Sequence, residues 1–267
     1  MTEPLTGINI LVTRPAHQAD NLADRIRAAG GIPVLFPVLQ ILDTQDQGPL
    51  RDAVERLDEF DLAIFISPNA ASKAMGLIQA KLTLSKKLKF AAVGQGTARV
   101  LESFGVKKVI APTIRFDSEA LLDMAELQQV SGKRIVIFRG DRGRELLGNS
   151  LLKRGAVLEY VECYRRVKPS TDIAPLLRAW AAGKMDAITI SSSEGLRNIF
   201  DMVGETGQIW LKKPPLFVPH ERIARSAEEL GFTQVILTAA GDEGLLQGLV
   251  NHFRPETGGE DFVPTKL

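Results

Sequence analysis

Two serines raise the question of what this chain does. Ser67 ends the run DLAIFIS (61–67) and Ser192 ends DAITISS (186–192). Each run opens on Asp, continues through apolar residues and leads into a stretch with helical spacing. The serines stand 125 positions apart (192 − 67), as do Asp61 and Asp186. A hydroxyl at a strand end, beside the free backbone N–H groups that begin a helix, suits an anion. Other polar or glycine residues end other apolar runs: Thr13 and Arg14, Gly94, Arg139 and Gly140, Ser191, and Pro219 with His220. In open parallel sheets ligands bind beyond the carboxyl ends of the strands. These positions are therefore candidates for holding a large anion between two lobes.

Plainer roles fit some of the same residues. Ser67-Pro68 is good helix-start chemistry, with Ser as cap and Pro at the first helical position. Ser191 with Glu194 fits a capping box, one residue out of step with the repeat. Capping does not exclude binding. Arg14, Arg139 and Arg144 also read as ordinary surface arginines. VGQGTAR (93–99) follows an apolar run and opens a helix, like a dinucleotide fingerprint, but Arg99 stands where the third glycine belongs. A tight turn explains Gly94 and Gly96 without a nucleotide. Tyr160, Glu162, Tyr164 and Arg166 share one face if the segment is a strand of period two. That face either looks into a site or belongs to an amphipathic ribbon. No Ser/His/Asp order, metal set or P-loop accompanies these residues, so the reading includes no metal and no cofactor.

The elements behind these positions repeat. INILVTRPAHQADNLADRIRAAGG (8–31) sits against KRIVIFRGDRGRELLGNSLLKRGA (133–156), and TARVLESFGVKKVI (97–110) against IARSAEELGFTQVI (223–236). An offset near 125 covers nearly the whole chain, the mark of internal duplication. Each module reads as a short apolar strand followed by an amphipathic helix, which implies parallel sheets flanked by helices. The fold class is α/β, with two doubly wound parallel-sheet lobes. Two equivalent segments, 32–44 and 156–169, are long for one compact strand, and Pro33 and Pro37 sit poorly in a central strand. Either both cross between lobes as a two-stranded β connector, or two contiguous lobes divide near Ser131. The 267 residues are 45% hydrophobic and 24% charged with net charge +1, an ordinary globular composition with no basic field for nucleic acid. No charged, apolar leader or long apolar run stands out, so a cytoplasmic protein without membrane contact is expected. Cys163 is the sole cysteine and cannot form an intrachain disulfide. The stretch 254–267 reads as a flexible tail.

The order of VTRP (12–15), FISPNA (65–70), AVGQGTARVL (92–101), SEALL (118–122), FRGDRGRELL (138–147), YRR (164–166), ITISSSEGL (188–196) and ERIARSAEELGF (221–232) resembles the uroporphyrinogen-III synthase family over residues 8–252. The resemblance implies a cofactor-free cyclase of tetrapyrrole biosynthesis, acting on the linear tetrapyrrole hydroxymethylbilane with inversion of its terminal ring. It implies that the chain crosses between lobes, giving 1–37 plus 168–253 as lobe one and 40–165 as lobe two. Tyr164 matches the family's tyrosine, the candidate acid for the departing hydroxyl. Ser67, Thr97 and Ser192 match its hydroxyl-bearing turns, with Asn69 and Ser118 inside matched motifs. The second copy of the GxxTA turn reads Pro219 to Ala224 here, so His220 or Arg222 is the candidate for the missing hydroxyl contact. The partners expected are the small polyanionic substrate and, by hand-over, the preceding pathway enzyme, with the protein itself a monomer. The reading from a different class is a non-catalytic two-lobed binding or sensor protein for a small anion.

Overall fold

The computed structural model describes residues 3–79, 87–141, 143 and 145–254; Arg144 and the stretch 255–267 lie outside them. The chain begins with β1 (Asn9–Val12), α1 (Ala16–Ala28), β2 (Ile32–Leu35) and β3 (Gln40–Leu42). Next come α2 (Gly48–Glu55), β4 (Leu62–Phe65), α3 (Pro68–Ile78), β5 (Lys89–Ala92), α4 (Gln95–Ser103) and β6 (Val109–Ile110). Then α5 (Ser118–Leu122), α6 (Ala125–Gln128), β7 (Arg134–Gly140), α7 (Leu146–Lys153) and β8 (Val157–Val167) follow. The last part holds α8 (Ala174–Ala181), β9 (Ala187–Thr189), α9 (Ser193–Leu211), β10 (Leu216–Val218), α10 (Glu221–Glu229), β11 (Val235–Leu237) and α11 (Gly241–Phe253). No described helix is long and apolar enough to cross a membrane.

Contacts divide the chain into two compact units. Residues up to Gln40 and from Lys168 onward form the first, and Ile41–Val167 form the second. The first unit carries a sheet of order β11-β10-β9-β1-β2, parallel at every pairing. This is the flavodoxin-like order, 2-1-3-4-5 in sequence terms. The second unit carries β3-β8-β7-β4-β5-β6. Taking β7 and β8 as its first two strands and β4, β5 and β6 as the next three gives the same order, circularly permuted. The sequence repeat is thus a structural one: β1 matches β7 and β9 matches β4.

The two aspartates of the repeat show the match atom by atom. Asp61 accepts from the Arg134 backbone N–H at 2.9 Å, and Asp186 from that of Asn9 at 2.7 Å. Each also donates its own N–H back to the same residue, Arg134 O at 2.8 Å and Asn9 O at 2.9 Å. The Asp therefore locks the start of each switch-point strand to its neighbour.

The long segment 32–44 divides. Its first part, β2, is an edge strand of the first sheet, where the missing N–H of Pro33 is harmless. Its second part, β3, lies at the edge of the second sheet beside β8. β8 itself runs as one strand of 11 residues. The chain thus leaves and re-enters the first unit along neighbouring strands.

Each sheet is buried on both faces, so its central strands are apolar throughout. In the second unit α2, α3 and α4 cover one face with Leu50, Ala74 and Leu101; α5, α6 and α7 cover the other with Leu121, Leu127 and Leu151. In the first, α8, α9 and α10 pack Leu176, Ile199 and Ile223 on one side, and α1 and α11 pack Leu22 and Leu249 on the other.

Helices end alike in both copies. Gly105, after α4, has φ +88° and sends its N–H to Glu102 O, while Val106 N–H reaches Leu101 O. Gly155, after α7, has φ +83° and repeats the pattern with Leu152 and Leu151. This left-handed C-terminal motif favours glycine. A Cβ on Gly105 would meet nothing within 4 Å, whereas one on Gly155 would lie 2.8 Å from Ser131 Oγ. Gly105→Ala should cost about 1–2 kcal/mol from backbone conformation alone, and Gly155→Ala measurably more, read by urea denaturation.

Cys163 is 2 % exposed, and burial pushes its thiol up to about 12. It should resist thiol reagents in the native state and react once denaturant opens the second unit. The unfolded thiol ionises first, so its contribution to stability is whole below its unfolded pKa and is lost as pH rises toward the folded value.

Candidate functional site

Strand order reverses between β4 and β7 in the second sheet and between β1 and β9 in the first. At such points the connections diverge to opposite faces and leave a crevice at the carboxyl ends. The candidate residues cluster at these two edges.

In the second unit Ser67 caps α3: its Oγ accepts from Ala70 N–H at 3.1 Å, with Pro68 opening the helix. The same Oγ lies 3.1 Å from the Tyr164 hydroxyl, and Arg166 Nη2 donates to that phenol oxygen at 3.0 Å. The Arg166 guanidinium also sits 5.4 Å from the Tyr164 ring centre. Tyr164 has no exposed surface. Its ring packs over Gly140, where a Cβ would stand 2.7 Å from Tyr164 Cζ.

A bulge produces this arrangement. Arg139 pairs with Glu162, but Gly140 pairs with Tyr164, so β8 holds one extra residue there. Cys163 and Tyr164 consequently both enter the core beneath α3. Tyr160 packs on the opposite face, against the core of α5 and α7. The expectation that Tyr160, Glu162, Tyr164 and Arg166 share one face is therefore corrected: unbroken alternation fails at the bulge.

Arg139 points to the Tyr160 side and is buried, not a surface arginine. Its Nη1 donates to Glu145 at 3.1 Å, Nη2 to Gly143 O at 3.2 Å and Nε to Gly140 O at 3.3 Å. Its guanidinium stands 5.0 Å from the Tyr160 ring centre. Ser118 lines the same cavity as Arg139 and Tyr160, while the cap of α5 is Asp117, which accepts from Ala120 N–H at 2.7 Å. Gly94 is the N-cap of α4. Thr97, in the first turn of that helix, is buried at 4 % exposure and presents almost no open surface. Asn69 is half-buried in the first turn of α3.

In the first unit Thr13 is spent on the sheet. Its hydroxyl donates to Thr189 O at 2.8 Å, and the Thr189 hydroxyl donates to Leu11 O at 3.0 Å. Arg14 forms an ion pair with Asp242 of α11. Arg14 and Arg139, equivalent in the repeat, are each paired with a carboxylate of their own unit. Ser192, not Ser191, caps α9, accepting from Gly195 N–H at 3.0 Å. The expected box of Ser191 with Glu194 gives way to the register of the repeat, which makes Ser192 the counterpart of Ser67. Ser191 is half-buried beside it. Pro219 is buried, and His220, at the N-cap of α10, and Arg222, in its first turn, are exposed. His220 thus occupies in the first unit the place of Gly94 in the second.

Comparison with known proteins matches residues 20–247 to a family model described as uroporphyrinogen-III synthase HemD. The chain belongs to the uroporphyrinogen-III synthase family. The uroporphyrinogen-III synthase of Escherichia coli K12 is 32% identical over 245 residues, covering 91% of this chain and all of that one. That of Synechococcus elongatus is 32% identical over 216 residues, 78% of this chain and 80% of its own. A crystal structure of a mutant uroporphyrinogen III synthase from the extreme thermophile Thermus thermophilus has the same fold, with TM-score 0.62 and 20% identity over 91% of this chain and 98% of that one. The enzyme from Helicobacter pylori 26695 also shares it, with TM-score 0.54 and 15% identity over 92% and 99%.

Within this uroporphyrinogen-III synthase fold, several partners escaped the sequence reading. Asp242 lies 228 positions from Arg14, and nothing local links them. Glu145 follows Arg139 by six residues inside FRGDRGRELL, with no local pattern marking the two as partners. The contact between Gly140 and Tyr164 needed knowledge of the bulge. Gly140→Ala should force the buried ring aside and cost about 1–3 kcal/mol as overpacking, measured by chemical denaturation against the parent.

Proposed function

We infer that this chain is a uroporphyrinogen-III synthase, a lyase that dehydrates and cyclises hydroxymethylbilane with inversion of the terminal pyrrole ring. The observation that carries this is the 32% identity spanning the full length of the E. coli uroporphyrinogen-III synthase. The substrate is a polyanion. Helix N-termini capped by Ser67, Gly94, Ser192 and His220 offer backbone N–H groups at the carboxyl edges of the two sheets, which suits carboxylates.

Tyr164 and Ser67 form the proposed acid. Arginine donates only, so the phenol oxygen accepts from Arg166. The Tyr164 hydrogen then needs an acceptor inside the core, and Ser67 Oγ, at 3.1 Å, is the one in reach among the described residues. Ser67 Oγ already accepts from Ala70 N–H, so its own hydrogen is left to point outward. The direction of donation runs from Arg166 through Tyr164 to Ser67, which is half-buried and hence reachable. In this reading the Ser67 proton joins the departing hydroxyl of the substrate, which leaves as water; Tyr164 resupplies it, Arg166 holds the resulting phenolate, and the proton the substrate sheds on ring closure restores the relay. Hydrogen bonds aligned in one direction polarise one another. The arginine fixes the phenol so that it cannot turn its hydrogen the other way.

The test is turnover of hydroxymethylbilane with separation of the type III product from the type I product of unassisted closure. Tyr164→Phe keeps the ring over Gly140 and removes the relay. It should slow type III formation by about 10²-fold, the lower end for a positioned acid, with substrate affinity nearly kept. Turnover at the parent rate would reduce Tyr164 to a packing residue.

A further inference from the structure

The second unit contains a cavity that the reaction as described does not use. It has a volume of about 140 Å³ and is lined by Ile66, Val93, Ser118, Arg139, Leu147 and Tyr160, among others. It lies on the face of the sheet opposite the core that holds Tyr164. Most of its wall is aliphatic, and at one place Arg139 stacks on the Tyr160 ring.

Three features of that place point to a ligand. First, Arg139 is 8 % exposed, and its hydrogen bonds among the described residues use one N–H on each of its three nitrogens. A guanidinium has five, so one N–H on each terminal nitrogen remains. Second, the carboxylate paired with it among the described residues is Glu145, whose side chain is 59% exposed, so the pair is half in water and open to exchange. Third, the Tyr160 hydroxyl is out of solvent and has no hydrogen-bond partner among the described residues. Burial first, and then the charge of the nearby Glu145 carboxylate and a weak hydrogen bond to it, too long to count as an ordinary one, raise its pKa above that of an ordinary phenol, so it remains a donor at neutral pH. An unsatisfied buried donor beside a buried cation is costly unless something accepts from it. The hydroxyl is held in this position closely: a Cβ on Gly148 would stand 1.7 Å from it.

We propose that this cavity binds the carboxylate of a short aliphatic acid. The carboxylate takes the place of Glu145 on Arg139 and accepts from Tyr160, and the methylenes lie against Ile66, Val93 and Leu147. Arginine suits a carboxylate because its fork donates two parallel hydrogen bonds. Two sources share this chemistry: an acidic side arm of the substrate, and a free small carboxylate.

The chain has only two tyrosines, Tyr160 and Tyr164, so protein labelled with 3-fluorotyrosine gives two fluorine signals. Propionate should shift the signal that Tyr160→Phe removes, saturably and in the millimolar range. Glu145→Gln removes the competing carboxylate and should tighten binding by roughly tenfold, the worth of one charge-assisted hydrogen bond. Arg139→Gln should abolish the shift. No shift of the Tyr160 signal in either the parent or Glu145→Gln overturns the proposal, as does a shift of full strength in Arg139→Gln. If Arg139→Gln does not fold, the Glu145→Gln arm still decides, because that side chain is mostly exposed. Turnover then separates the sources. Competition between propionate and hydroxymethylbilane assigns the cavity to a substrate arm, and inhibition or activation without competition assigns it to a free acid. The fluorine measurement needs no turnover, so it stands whether or not the proposed reaction does.

Discussion

A parallel sheet covered by helices on both faces has almost nowhere to place chemistry except its strand ends. That constraint governs both units of this chain. Along the central strands the side chains are buried under helices on both faces, and those positions are apolar without alternation. In the central strands polar side chains gather at the strand ends, most of them where the next helix has not yet closed its hydrogen bonds. Of the hydroxyls at those places, Ser67 and Ser192 cap helices, while Thr13 holds two strands together. The free backbone N–H groups of capped helices are a product of helix geometry and need no dedicated side chains.

A single extra residue departs from that regularity. The bulge opposite the junction of Arg139 and Gly140 turns Tyr164 into the core below α3 and leaves Tyr160 on the other face. The consequence is two separate polar groupings built from one strand. One is the row of Arg166, Tyr164 and Ser67, closed tightly enough that Gly140 has no room for a methyl group. The other is Arg139 stacked on Tyr160 beside a cavity. Unbroken alternation would have placed both tyrosines together and left neither grouping complete.

Duplication sets the frame, and divergence sets the differences. Paired aspartates, paired caps and paired helix-ending glycines survive at matching places in both units. They do so because each solves a backbone problem that recurs wherever the same topology recurs. Side chains at the carboxyl edges have moved apart: Gly94 faces His220 in the alignment of the copies, and Arg139 and Arg14 keep their type but have acquired carboxylates from unrelated helices. The copies also differ in chain path, since β2 stays in the first sheet while its counterpart β8 continues as a long strand next to β3.

The sequence by itself determined the α/β class, the repeat at an offset near 125, the strand-end location of the polar residues and the cap at Ser67. These follow from short-range rules: apolar runs bounded by turn residues, helical spacing, and the hydrogen-bonding needs of a helix start. Only the tertiary structure decided that the cap of α9 is Ser192, that Arg14 meets Asp242, that Thr13 serves the sheet, and that Tyr160 and Tyr164 part company. The last three depend on a partner far along the chain or on a register shift in strand pairing, whereas the cap is a local choice between two adjacent serines. A period-two pattern has no local mark for an inserted residue when both neighbours, here Cys163 and Tyr164, can be buried. An ion pair across 228 positions has none either, because a charged residue in a first helical turn looks the same whether it faces water or an arginine.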